Sequence, residues 1–293
     1  MSNIDLHMHS IISLDGEFTP AQLAKLCYES GLKTAALTDH NSVRGVSEMT
    51  QEALKYGIQI IPGIELDCTC QDLDLHLLGY GIDITDKRFE ENERCILKQK
   101  QAGSVQTMDL LHQAGIAFDP EKVMELSRDG VVIGETIAEV ALEDDRNFNN
   151  PLMKPYYPGG SRSDNPYVNF FWDFCSQGKT AFIPVSYITV EEAINLVRSA
   201  GGVSVIAHPG ATVKHDEEKI AHMVECGVTG IEVYSSYHSK DDILYYQEIA
   251  AKYHLVPTMG SDYHGKTKPA VRLGGTNCID ADIDIRKLLL TGR

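Results

Sequence analysis

The stretch Val203-Ser204-Val205-Ile206-Ala207-His208-Pro209 is a short apolar run that ends in a histidine and a proline. It is too short for a helix and rich in β-branched residues, so it reads as a buried strand. The same form recurs along the chain. Ile4-Asp5-Leu6 runs into His7-Met8-His9, and the apolar residues 34–37 run into Thr38-Asp39-His40. Ile58-Gln59-Ile60-Ile61-Pro62-Gly63-Ile64 runs into Glu65, and Leu75-His76-Leu77-Leu78-Gly79-Tyr80 is a further run. Residues 230–234 follow, and 256–260 lead into Ser261-Asp262-Tyr263-His264. Helical signals fall between the runs. Thr19-Pro20 is an N-cap with proline at the first helical position, and Gly31 closes the pattern. Further helical patterns lie at 43–56 and near 190–200, 215–226 and 240–253. Continuous apolar strands alternating with helices predict a parallel sheet buried on both faces. About seven of them favour a closed or nearly closed barrel in an α/β chain.

The rhythm breaks between residues 99 and 178. A long polar helix runs into Gly115, a second piece spans 120–127, and 147–166 is rich in Asn, Pro, Tyr and Gly. This predicts a barrel from 1–98 and 179–293 with a mainly helical insertion, 99–178, acting as a cap over its mouth.

Composition excludes several classes. The chain has 293 residues and a formal charge of −16, which opposes stable binding to a nucleic-acid polymer or an anionic membrane. With 43% hydrophobic residues it has material for a full core. No apolar run approaches the roughly 18–20 residues of a membrane span, and the first residues lack a signal-peptide pattern. The seven cysteines, at 27, 68, 70, 95, 175, 226 and 278, form no framework, as expected of free thiols in a cytoplasmic protein. Cys68-Thr69-Cys70 lacks a second pair and reads as strand packing rather than a zinc site.

Histidine is the unusual residue, with 11 in the chain. His7 and His9 are two apart in an extended backbone and face one side, as do Asp262 and His264. Of the nine candidate ligands His7, His9, Asp15, His40, Glu65, His76, His208, Asp262 and His264, seven fall at or just beyond strand ends. Asp15 lies further into its loop and His76 within its strand. In a parallel barrel all strand C-termini share one face, where sites are assembled from several loops.

These segments resemble the PHP (polymerase and histidinol phosphatase) family, related to the amidohydrolases. The resemblance rests on Asp5-Leu6-His7-Met8-His9-Ser10, Leu37-Thr38-Asp39-His40-Asn41, Pro62-Gly63-Ile64-Glu65, Leu75-His76-Leu77-Leu78-Gly79-Tyr80, Ala207-His208-Pro209 and Gly260-Ser261-Asp262-Tyr263-His264. It implies a distorted TIM-like (β/α)7 barrel holding two or three divalent ions, whether manganese, zinc or iron. His7, His9, Glu65 and Asp262 would hold one ion. Glu65, His76 and His208 would hold a second, with Glu65 bridging, and Asp15, His40 and His264 a third. The implied activity is hydrolysis of a small phosphorylated metabolite by metal-activated hydroxide, with Glu65 and Asp262 in the catalytic centre.

By the same resemblance His238 is a substrate contact or the acid for the leaving group. Arg44 and Lys179 are candidate phosphate contacts, and Lys154 and Arg162 weaker ones. His112, His215, His222 and His254 lie in helical stretches without acidic partners at useful spacing and read as structural. Family phosphatases acting on small nucleotides carry Gly-Arg where this chain has Gly134-Glu135. A carboxylate there repels a second phosphate, which argues against nucleoside bisphosphates. The alternatives are a cyclic phosphodiesterase that then releases phosphate, hydrolysis of a C–N bond, and a non-catalytic metal-binding module.

Overall fold

A computed structural model describes residues 3–277, 283 and 285–290. Cys278 lies outside the described residues. In chain order the barrel elements are β1 (Ile4–Asp5), α1 (Pro20–Glu29), β2 (Thr34–Leu37), α2 (Val46–Leu54), β3 (Gln59–Cys70) and β4 (Leu73–Tyr80). The chain then enters α3 (Lys87–Gln113), α4 (Pro120–Leu126), α5 (Gly134–Leu142) and α6 (Pro166–Phe174). It returns through β5 (Ile188–Thr189), α7 (Val190–Ser199), β6 (Val203–Ile206), α8 (Glu217–Glu225), β7 (Gly230–Ser235), α9 (Lys240–Tyr253), β8 (Val256–Gly260) and α10 (Ile285–Leu290). Capping boxes at Thr19, Thr189 and Ser239 start α1, α7 and α9 by satisfying the first unpaired helix N–H groups.

Seven strands follow one another around the sheet in the order β1-β2-β3-β4-β6-β7-β8, and the two-residue β5 pairs with the far end of β3. Main-chain bonds bring the last strand back to the first. Leu6 N donates to Met259 O over 3.1 Å, Asp262 N to His7 O over 2.8 Å and His9 N to Tyr263 O over 2.9 Å. The barrel is nearly closed, as the alternation predicts. Its interior is filled by residues including Leu6, Ala36, Leu78, Tyr80, Val205 and Ala207. Tyr80 Oη donates to Leu6 O across that interior over 2.8 Å.

One strand departs from the parallel expectation. β4 runs antiparallel to both β3 and β6. Only Gln71 and Asp72 separate it from β3, with Gln71 at φ 58°, and a parallel return needs a crossover of a dozen or more residues. Glu65 therefore sits in the middle of β3 rather than at its end. The β3–β4 hairpin continues beyond it and places Asp67 opposite His76.

Residues 99–178 do form a mainly helical segment with its own apolar cluster, including Leu111, Phe118, Ile137 and Phe170. The division expected between residues 98 and 99 falls inside α3, a continuous helix of 27 residues. Its first half lies with the barrel and its second half carries the segment. Among the described residues no helix is long and apolar enough to cross a membrane.

Candidate metal centre

The backbone of β1 continues extended through His7, Met8 and His9. Met8 turns into the core, while His7 and His9 face together over the barrel mouth, both buried. His7 Nε2 lies 3.2 Å from Glu65 Oε2 and 3.3 Å from Asp262 Oδ1. His9 Nε2 is 3.1 Å from each of the same two oxygens. On the other side of Glu65, Oε1 is 3.0 Å from His76 Nδ1 and 3.1 Å from His208 Nε2. Asp15 Oδ2 is 3.1 Å from His264 Nε2 and 3.9 Å from His40 Nε2, and His9 joins that group. The structure thus brings all nine candidate ligands into three overlapping groups, each with its donor atoms within 4.8 Å of one another.

The donor set fits divalent cations. Nitrogen and oxygen atoms sharing one ion at about 2.0–2.2 Å stand about 3.0–3.5 Å apart, as most of these do. His7 Nε2, His9 Nε2, His40 Nδ1, Glu65 Oε2, Asp262 Oδ1 and His264 Nε2 are buried and have no hydrogen-bond partner. Each such atom costs about 1–3 kcal/mol in a dry interior, so several pointing at one another mark a place suited to a cation. The opposite ring nitrogens are anchored. His7 Nδ1 faces Glu232 Oε1 at 3.2 Å, His9 Nδ1 faces Ser13 Oγ at 2.9 Å, and His264 Nδ1 donates to Asp262 O over 2.9 Å. Holding Nδ1 this way leaves Nε2 as the free donor. His208 at φ 24° and Asp262 at φ 58° both adopt left-handed backbone, strain of the kind that concentrates at functional sites.

Charge is balanced within the cluster. Burial alone would raise the Glu65 carboxyl, but the facing His7, His76 and His40 hold it well below the usual range. Burial acts the same way on Asp262, where Lys268, His264 and His7 overcome it. Burial lowers His40, yet Glu65, Asp67 and Asp15 push it up to about 10. His9 falls to about 4 through burial and the neighbouring His264 and His40. Protons on His7 and His40, both raised by the facing carboxylates, thus do the work that divalent ions would take over.

Several site residues escaped the sequence reading. Asp67 Oδ1 is 3.3 Å from His40 Nδ1 and 3.4 Å from His76 Nε2. It stands two residues after Glu65 on one strand, so period-two alternation was an available signal. Glu232 binds both His7 and the main-chain N of His208, and a lone carboxylate inside the apolar strand β7 was its signal. Lys268 bonds Asp262 Oδ2 at 2.5 Å, and Tyr237 Oη donates to the same oxygen over 2.8 Å. Lys100 lies 3.3 Å from Asp67 Oδ2. Nothing local marks either lysine.

Other expectations fare differently. His238 is buried, and Nδ1 donates to Val233 O over 2.8 Å while Nε2 accepts from Gly210 N over 3.0 Å. Both nitrogens are committed to main chain, so neither presents an acid to a leaving group. Burial also lowers its affinity for a second proton. Arg44 is tied by Nε to Glu93 at 2.8 Å and by Nη2 to Asp129 at 2.9 Å, so its charge is already paired with two carboxylates. Lys179 is exposed in the turn before β5, and Lys154 is exposed; neither is among the clustered donors. Arg162 pairs with Asp173 inside the insertion at 2.9 Å. His215 has an acidic partner after all, Asp242 at 3.0 Å, supplied by a different helix. His112 stacks on Phe118, His222 sits near Cys226, and His254 caps α9. Cys68 and Cys70 pack in the apolar core. Glu135 is buried beside a cavity of about 60 Å³ that it shares with Asp15, Arg128, Glu139 and Lys266.

Residues 5–136 match the family model described as PHP domain. That stretch is similar to a PHP domain. Several curated relatives align with nearly the whole length of this chain. A phosphoribosyl 1,2-cyclic phosphate 1,2-diphosphodiesterase of Eggerthella lenta is 29% identical, over 89% of this chain and 94% of its own. A 3',5'-nucleoside bisphosphate phosphatase of Chromobacterium violaceum is 28% identical over 94% and 92%. A 5'-3' exoribonuclease of Escherichia coli is 26% identical over 96% and 91%. A solved Chromobacterium violaceum structure, described as an amidohydrolase with bound sulfate and no metal, superposes with a TM-score of 0.81. It is 26% identical, over 99% of this chain and 97% of that chain.

Proposed function

We propose that the protein is a metal-dependent phosphoesterase whose substrate is a small phosphorylated compound. The observation that carries this reading is the set of buried, unpartnered nitrogen and oxygen atoms of His7, His9, His40, Glu65, Asp262 and His264, which converge from the segments after β1, β2 and β8 and from the middle of β3. His7, His9, Glu65 and Asp262 would hold one ion and Glu65, His76 and His208 a second. Asp15, His40 and His264, with His9, would hold a third. Manganese, zinc and iron all suit this mixed imidazole and carboxylate set. Divalent ions there would supply Lewis acidity toward phosphoryl oxygens and lower the pKa of water. The chain's own residues do the rest. Glu232 and Ser13 fix the rings of His7 and His9, and Lys268 with Tyr237 fixes Asp262. Asp15, His40 and His76 form the edge of the cluster open to solvent.

The segment 99–178 serves as the cap. Arg128 reaches the loop after β1 and donates to Ile11 O over 3.3 Å and to Gly16 O. Lys266 after β8 meets Glu139 of α5 at 2.5 Å. A second reading, opening of a cyclic phosphate followed by phosphate release, is supported by the Eggerthella lenta relative. The exoribonuclease relative narrows the argument from charge. A net charge of −16 opposes coating of a polymer but not entry of one phosphorylated RNA end.

The test is metal analysis of the purified protein, followed by phosphate release with manganese, zinc or iron. Sugar phosphates, nucleoside bisphosphates, cyclic phosphates and a short 5'-phosphorylated RNA form the panel. Hydrolysis of a small ester that is lost in Glu65→Ala is the expected result. Bound metal with no hydrolysis of any phosphoester, or cleavage of C–N bonds alone, would overturn the proposal.

A further inference from the structure

The cluster is open on one side only. The side chains of His7, His9, Glu65 and His264 are 0% exposed, whereas His40 is 20% and His76 28% exposed. A substrate must therefore reach the ions along the His40–His76 edge. Asp67 stands at this edge and divides its two oxygens. Oδ1 faces His40 and His76, and Oδ2 faces Lys100 Nζ at 3.3 Å. Lys100 comes from α3, two helical turns after Glu93, so the helix that leads into the insertion lays one cation against the open edge.

Other cations near the mouth are already committed. Lys268 is 8% exposed and bonds Asp262, with the Tyr237 ring 5.4 Å away. Arg44 is held by Glu93 and Asp129, and Arg128 donates to main-chain carbonyls. Lys100 differs. An ammonium has three N–H donors, and Asp67 takes one; the Tyr187 ring lies 6.0 Å from Nζ. Its side chain is 24% exposed, enough to turn toward an incoming ligand without leaving Asp67. The His40–Asp67–His76 group also contains metal-ligand atoms. With an ammonium already on Asp67, that group is closed by a lysine rather than by a further ion.

We propose that Lys100 is the side chain through which the α3 segment binds the phosphoryl oxygens of the substrate, with Asp67 aiming it at the open edge. This rests on the phosphoesterase reading. A merely structural clasp between α3 and β3 would use the same ion pair, so the test must separate the two roles.

Metal-loaded wild type, Lys100→Met and Lys100→Arg are compared for metal content, melting temperature, kinetics on p-nitrophenyl phosphate and binding of inorganic phosphate. Loss of one charge-assisted bond is expected to weaken phosphate and raise KM about 10–100-fold, with metal content unchanged. Lys100→Arg should recover part of that loss. Unchanged KM and phosphate affinity in a folded, metal-loaded Lys100→Met would overturn the proposal. Loss of metal from Lys100→Met would also overturn it, by making Lys100 a support for His40 and His76. Should Lys100→Met fail to fold, a structure of wild type with inorganic phosphate decides. Nζ within hydrogen-bond distance of phosphate supports the proposal, and phosphate bound with Nζ on Asp67 alone refutes it. Wild type that binds phosphate through Lys100 but hydrolyses no ester would sink the phosphoesterase reading and leave the contact standing.

Discussion

The barrel rim and the inserted segment are built on opposite plans. At the rim, buried polar atoms are left without partners, two ligand residues sit in left-handed backbone, and apolar packing stops where the strands end. The insertion instead closes an apolar core of its own and satisfies its polar groups locally, as when Asn147 bonds the main chain of Ala117 and Ala141. Only a few charged side chains of that half, including Lys100, Arg128 and Glu139, reach back to the rim. The rim gathers polar atoms that face one another without partners, whereas the insertion closes on its own apolar side chains. Substitutions in the two regions should differ accordingly.

The largest contrast is expected from Glu65→Ala, since Glu65 touches five of the histidines. Metal retention and phosphate release should vanish together, by elemental analysis and a phosphate assay. Retained metal with full activity would end the picture of a shared bridging carboxylate. Next is a pair of glycines. A Cβ at Gly260 would lie 2.1 Å from His7 Cβ and 2.4 Å from Glu232 Oε1, whereas one at Gly178 meets nothing within 4 Å. Gly260→Ala should cost about 2–4 kcal/mol and weaken metal binding. Gly178→Ala, at φ 80°, should cost about 1 kcal/mol and leave metal binding alone. Equal effects in thermal denaturation would erase the distinction.

His238→Ala comes third. It removes two buried bonds to main chain, so about 1–3 kcal/mol of stability should go while the rate on alkyl phosphates changes less than about tenfold. A loss of about 10²-fold or more in a folded, metal-loaded protein, shrinking for nitrophenyl esters, would restore an acid role. The smallest effect concerns Glu135, whose carboxyl is pushed up to about 8 by burial and then by Asp15. A raised carboxyl binds its proton in the folded state above the pH at which the unfolded chain has lost it. Stability in the metal-free protein should therefore fall as pH rises from about 4.5 to 8. Glu135→Gln should flatten that part of the melting-temperature profile. An unchanged slope would place the titrating group elsewhere.

Legibility followed the range of the interaction. The clustering of the candidate ligands was readable because His7 and His9, or Asp262 and His264, share a face by backbone geometry alone, and because apolar runs mark where strands stop. Asp67 was readable in principle by the same alternation. Lys100 and Lys268 were not, since each meets its carboxylate through packing that no local pattern encodes. His238 was misjudged for a related reason. Position at a strand end says nothing about which groups its two nitrogens meet.

What the sequence alone determined is the alternation of buried strands with helices and the chemical kind of each strand-end residue, both consequences of side-chain periodicity and burial cost. The tertiary structure alone decided the reversed β4 that sets Asp67 against His76. It also decided the commitment of His238 and Arg44 to other partners, and the placing of one α3 lysine at the open edge. The contacts of Lys100, His238 and Arg44 depend on partners 28 to 85 residues away, which only the folded chain brings within 3 or 4 Å.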